Sequence, residues 1–73
     1  MHRIASTELA STHGNPVVVQ LSETDDGEFI LTMFRIGDTK EPYLLKGSDR
    51  EHMISRYLKT VRFATIFTDS GIL

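Results

Sequence analysis

The sequence has no cysteine and no tryptophan among its 73 residues, and its five glycines lie at least ten residues apart. Without cysteine, a disulfide scaffold, a cysteine-ligated zinc or iron–sulfur site and a thiol nucleophile are excluded. The wide spacing of the glycines excludes a glycine-rich loop that would cradle a nucleotide phosphate. Histidines occur at positions 2, 13 and 52, which is not a spacing typical of a zinc site. We therefore predict no cofactor and no bound metal.

Long apolar runs are missing as well. No segment approaches the ~20 apolar residues that a membrane-spanning helix needs. The first residues contain one arginine and then turn polar, without the apolar stretch of about 7 to 15 residues found in a secretory signal peptide. Together with the lack of cysteine, these features favour a cytoplasmic protein with no membrane partner.

The length leaves little room for a catalytic site. A chain of 73 residues with 40% hydrophobic and 25% charged residues is expected to fold as one domain, residues 1–73, around a small core. Ser48, Asp49 and His52 are the residue types of a catalytic triad, but they lie within a single turn, and Ser48 is better explained as a helix cap. We therefore predict that the protein is not an enzyme.

Three strands are predicted in the first two thirds of the chain. Residues 17–21 are β-branched and apolar, residues 29–36 are aromatic and aliphatic, and Asp25-Asp26-Gly27 stands between the two segments. This arrangement is typical of a β-hairpin, because Asp-Gly adopts the positive φ angles that tight hairpin turns require. Residues 43–45 follow a loop that ends in Pro42 and predict a third strand.

A helix and a fourth strand are predicted after Gly47. Ser48 and Glu51 form a capping-box pattern, so we expect a helix that begins at Asp49. Its core-facing stripe would contain the apolar residues Met53, Ile54, Tyr57, Leu58 and Val61. After Thr60 the apolar period changes to two, which predicts a strand over residues 62–67.

The segment before Gly14 is ambiguous, because residues 6–10 resemble a short helix while an extended arm fits them nearly as well. The predicted fold is therefore α+β. It has a small, mostly antiparallel sheet of about four strands and one amphipathic helix in the order β-β-β-α-β, with a short N-terminal helix as an option.

The strand at residues 29–36 is apolar on both faces. Phe29, Leu31 and Met33 alternate with Ile30 and Phe34, whereas a strand with one face in water normally alternates apolar with polar residues. A single helix covers only one face. We therefore considered three covers for the other face: the N-terminal segment, a second copy of the chain in a homodimer, or a foreign protein.

Charge is divided along the chain. Residues 1–32 carry a net charge of −4, and residues 33–62 carry +3. The hairpin turn contributes a candidate protein interface, which consists of Glu23, Asp25, Asp26 and Glu28. The predicted helix contributes candidate nucleic-acid contacts, which are Arg50, Arg56, Lys59 and Arg62. Nucleic-acid binding is disfavoured, because the chain holds only eight basic residues and an overall negative charge.

The prediction that best fits these features is a small protein-binding module that regulates or inhibits a larger protein assembly. An accessory protein of a phage or plasmid that acts on host machinery is one example. The first alternative is a nucleic-acid-binding domain that uses the basic helix face. The second alternative is a small homodimeric structural protein, paired through one face of the sheet.

Overall fold

A computed structural model describes all 73 residues as one four-stranded sheet with one helix. The elements are β1 (His2–Leu9), β2 (Val17–Glu23), β3 (Phe29–Arg35), β4 (Tyr43–Gly47) and α1 (Arg50–Asp69). The strands lie in sequence order, and each pairs with the next in an antiparallel manner. The predicted α+β class and the four-stranded antiparallel sheet are confirmed. The predicted β2–β3 hairpin is present with Val19 opposite Met33.

The predicted final strand is wrong, and the element order is β-β-β-β-α. Residues 62–67 continue α1, which ends only at Asp69. No glycine or proline interrupts the chain between Thr60 and Ser70, and Ala64 and Thr68 extend the buried side of the helix that begins with Met53 and Tyr57. The alternation that would place Phe63, Thr65 and Phe67 on one face of a strand does not report burial, because both phenylalanine rings are exposed.

The fourth strand is instead the N-terminal segment, and the short N-terminal helix is absent. β1 pairs with β2 and has an irregularity between Arg3 and Ala5 that leaves Ile4 without a partner in the register. Such a bulge shifts the alternation by one residue, so the consecutive residues Ile4 and Ala5 both pack against the core. The sequence of β1 therefore does not show the alternation of apolar and polar residues that normally identifies a strand.

The helix begins one residue later than predicted. α1 starts at Arg50, and Asp49 is its N-cap, whose carboxylate accepts a hydrogen bond from the backbone N–H of His52 at 3.1 Å. Ser48 therefore lies outside the helix, and the predicted capping box is not formed. No helix in the structure combines the length and the apolar character needed to cross a membrane.

The core lies between α1 and one face of the sheet. Its fully buried side chains come from three elements: Val19 and Leu21 of β2, Leu31 of β3 and Met53 of α1. Burying each such side chain contributes roughly 1.5 to 3 kcal/mol, so a core of this size gives a modest total.

No second helix lies over the other face of the sheet, although Val18 on this face is only 6% exposed. The N-terminal segment does not shield it, because that segment is the edge strand β1. On this face Ile30 of β3 lies between Ser22 and Lys46, and Thr32 lies between Gln20 and Leu44. Phe34 lies opposite Val18 on the same face, so apolar side chains of three strands share this face with polar ones.

Candidate protein-binding surfaces

The four carboxylates predicted as a protein interface form one acidic tip, which we define as Glu23, Asp25, Asp26 and Glu28. They lie at the end of the β2–β3 hairpin, where Gly27 adopts a φ of +84°. Thr24 organises this turn: its backbone N–H donates to the carbonyl of Glu28 at 2.8 Å, and its carbonyl accepts from Gly27 at 3.1 Å. The acidic tip is thus a fixed projection of the sheet.

The Thr24 hydroxyl fixes the tip further. It donates a hydrogen bond to the Asp26 carboxylate and accepts one from the backbone N–H of Glu28 at 3.0 Å. The hydrogen bond from Thr24 holds the pKa of Asp26 below its ordinary value, with smaller contributions from its backbone and from the positive charge of Lys46. Asp26 therefore stays ionised at any pH near neutrality.

Little of the charge at the acidic tip is neutralised within the chain. The single salt bridge in the structure joins the N-terminal ammonium of Met1 to Asp25 at 3.2 Å, and the Asp25 side chain remains 98% exposed. Asp26 and Glu28 are also exposed, whereas Glu23 is half-buried. No three of these carboxylates converge as a metal site would require. Chemically, the tip offers hydrogen-bond acceptors and negative charge to an external cationic surface.

The predicted nucleic-acid contacts do not form one compact patch. Arg50, Arg56, Lys59 and Arg62 all lie in α1 and are all exposed. At about 100° per residue, Arg56 and Lys59 are near neighbours around the helix, while Arg50 and Arg62 each lie about 120° from Arg56 on opposite sides. Lys59 lies about 60° from both Arg56 and Arg62, so these three cations share one flank of α1 while Arg50 faces elsewhere.

Sequence reasoning missed a second surface, the aromatic groove, which we define by Met33, Tyr43, Phe63 and Phe67. The groove has a volume of about 150 Å³ and lies between α1 and the β3–β4 pair, with Thr60 and Ala64 completing its wall. Tyr43, Phe63 and Phe67 are 48%, 56% and 41% exposed. The missing signal was the extent of α1: once the helix continues to Asp69, both phenylalanines fall outside its buried stripe.

The groove and the acidic tip lie at opposite ends of the sheet. Phe29, which follows the tip, pairs with Gly47 at the end of β4, whereas Met33 of the groove pairs with Tyr43 at its beginning. Beyond Tyr43 the groove continues into a concavity of about 310 Å³ under the loop of residues 36–42, which Asp38, Lys40 and Glu41 line. The chain therefore presents two separate candidate surfaces.

Comparison with known proteins identifies no relative. The chain matches no family model, and neither a curated protein nor a solved structure is detectably similar to it.

Proposed function

We propose that this protein is a non-enzymatic protein-binding module that regulates or inhibits a larger protein assembly, and that the acidic tip is its contact surface for the foreign partner. The observation that carries the proposal is the way in which Thr24 fixes the backbone of the turn and the exposed carboxylate of Asp26. Fixed charges lose little conformational freedom on binding, so more of their interaction with a partner is retained as affinity.

The chemistry of the tip favours a cationic protein surface as the partner. The carboxylates project separately, and arginine side chains bind such groups through short, charge-assisted hydrogen bonds. A negative projection also accelerates encounter with a positive surface at low salt. An inhibitor that occupies a basic substrate-binding or assembly surface has this character.

Lysate capture with charge-reversed variants tests the proposal. The chain is immobilised and exposed to lysate of its native cells at about 50 mM and about 500 mM salt, which spans the range over which exposed charges become screened. Charge reversal of the tip (Asp25→Lys, Asp26→Lys, Glu28→Lys) is expected to abolish capture of a specific protein. Wild-type capture should also weaken at the higher salt.

The matched control reverses three exposed carboxylates outside the tip and the groove: Glu8→Lys, Glu51→Lys and Asp69→Lys. It changes the net charge by the same amount, so retained capture by this variant assigns the interaction to the tip. If the tip variant captures the same protein as wild type, the tip is not the contact surface.

Nucleic-acid binding remains the alternative, carried by Arg56 and Lys59, for which the structure contains no acidic partner on α1. Fluorescence anisotropy with a labelled duplex at about 20 mM salt tests it, because phosphate contacts are strongest at low salt. Binding that disappears in Arg56→Gln/Lys59→Gln would replace the proposed function. An unchanged anisotropy at this salt removes the alternative.

A further inference from the structure

The aromatic groove lies where α1 leaves one side of the sheet uncovered. Four strands about 4.8 Å apart span roughly 15 to 20 Å, whereas one helix covers about 10 Å. α1 packs against β1, β2 and β3 and makes few contacts with β4. Tyr43 of β4 is consequently 48% exposed on the helix side of the sheet, although it faces the same way as the core residue Leu31.

The aromatic residues of the chain are distributed unevenly. Of its six phenylalanines and tyrosines, only Phe29 and Tyr57 are buried, and three of the other four surround this groove. Aromatic side chains are enriched in protein–protein interfaces, where each buries about 150 to 250 Å². The groove therefore has the composition of an interface, independently of the acidic tip.

We propose that the aromatic groove binds a second copy of this chain in a two-fold symmetric dimer, with Phe63 and Phe67 of each copy entering the groove of the other. A two-fold interface must be complementary to itself. This surface meets that condition in shape, because protruding rings and an apolar concavity stand side by side.

The charges around the groove are arranged to suit the same symmetry. On the helix side, Arg56 lies on the same stripe of α1 as three residues of the groove, which follow it by four, seven and eleven positions: Thr60, Phe63 and Phe67. Lys59 lies one turn before Phe63. On the opposite side the loop of residues 36–42 contributes Asp38 and Glu41 together with Lys40, a net charge of −1.

A two-fold axis through the groove brings the helix side of one copy against the loop side of the other. Cations then meet carboxylates twice, and none of these side chains has an ion-pair partner within its own chain. A foreign partner of one sign would meet favourable charge on only one side of the groove. This is the reason to assign the groove to a second copy.

The available area places the dimer at the small end of stable interfaces. Three rings that are each about half exposed contribute roughly 300 Å² per copy, or about half of the ~1,200 Å² in total that a specific interface needs. Met33, Thr60 and the charged rim supply further area. We therefore expect a dissociation constant of roughly 10 to 100 µM.

Sedimentation velocity between about 1 µM and 1 mM tests the dimer over the concentration range that brackets this constant. The wild-type chain should change from monomer to dimer, whereas Phe63→Ser/Phe67→Ser should remain monomeric throughout. Leu58→Ser is the matched control, since Leu58 is an equally exposed apolar residue on the other flank of α1, and it should dimerise as wild type does. Circular dichroism verifies that each variant is folded.

A charge exchange tests the two-fold arrangement itself. Two double variants, Arg56→Glu/Lys59→Glu and Asp38→Lys/Glu41→Lys, should each weaken dimerisation roughly threefold to tenfold, as the loss of rim ion pairs does. The variant that combines all four substitutions should dimerise as wild type does. A wild-type chain that is monomeric up to about 1 mM overturns the proposal, as does a dimer that survives Phe63→Ser/Phe67→Ser. The tip variant should dimerise normally, so this outcome is separate from that of the capture experiment.

Discussion

Thr7 and Tyr57 share a hydrogen bond of 2.5 Å between their side-chain hydroxyl oxygens, which ties the edge strand β1 to the helix. Tyr57 is 7% exposed, so its hydroxyl would have no good partner without Thr7. We predict that Thr7→Val lowers the free energy of unfolding by about 1 to 3 kcal/mol, because it leaves a buried hydroxyl unsatisfied. Urea denaturation followed by circular dichroism measures this change.

The double variant separates the hydrogen bond from packing. Tyr57→Phe in the Thr7→Val background removes both polar partners and keeps both shapes, which is often nearly neutral. The double variant should therefore be at least as stable as Thr7→Val alone. Additive losses in the two single variants would show that the hydroxyl groups do not act as a pair.

The N-cap of α1 gives a second prediction, because the sequence predicts Ser48 as the cap whereas Asp49 fills the role in the structure. Asp49→Ala should destabilise the protein by about 0.5 to 2 kcal/mol, since the carboxylate that accepts from the His52 N–H is lost. Ser48→Ala should change the stability by less than about 0.5 kcal/mol. The reverse order in thermal denaturation would restore Ser48 as the cap.

The helix boundaries illustrate what the sequence determined. Signals carried by a few adjacent residues were read correctly: the Asp25-Asp26-Gly27 turn, and a helix start within one residue of Arg50. The acidic tip was predicted for the same reason, because its carboxylates are neighbours in the chain.

What the sequence did not reveal depends on contacts between distant segments. Residues 62–67 alternate like a strand, yet they continue α1, whose backbone hydrogen bonds they complete. The N–H of Ser70, for example, donates to the carbonyl of Ile66 at 2.9 Å. β1 forms through its pairing with β2 and contains a bulge that disrupts its pattern. The aromatic groove joins residues of β3, β4 and α1, so no local pattern indicates it.

The acidic tip should also show a measurable response to pH. The hydrogen bond from Thr24 lowers the pKa of Asp26 from 3.8, so a titration of its carboxyl carbon by NMR should give a midpoint below that value. Thr24→Val should move the midpoint towards 3.8, whereas Thr24→Ser keeps a hydroxyl and should leave it low. A wild-type midpoint at or above 3.8 would contradict the geometry of the turn.

The sign of the effect on stability follows from the direction of this shift. A carboxyl group whose pKa is lowered by folding stabilises the protein above the unfolded pKa, and this contribution is lost as the pH falls through the folded pKa. The stability difference between wild type and Thr24→Val should therefore be larger at pH near 6 than at pH near 2. Thermal melts at the two pH values compare them.

Gly47 lies against the core side chain of Met53, and its backbone conformation does not call for glycine. A Cβ atom placed on Gly47 would lie 2.7 Å from Sδ of Met53, whose side chain is 1% exposed. Gly47→Ala should therefore displace Met53 and lower the free energy of unfolding by about 1 to 3 kcal/mol. Met53→Ala alone should cost about 2 to 5 kcal/mol, because it leaves a cavity in the core.

Because the new methyl group enters the space that Met53 vacates, Gly47→Ala/Met53→Ala should cost less than the sum of the two single variants by at least about 1 kcal/mol.

Gly27→Ala supplies the contrast: no atom lies within 4 Å of its added Cβ, but its φ of +84° is strained for alanine, which costs about 1 to 2 kcal/mol. That loss should add to the loss from Met53→Ala, since the two residues lie in separate regions. If urea denaturation instead shows that the losses of Gly47→Ala and Met53→Ala add, the contact between Gly47 and Met53 does not restrict how the core packs.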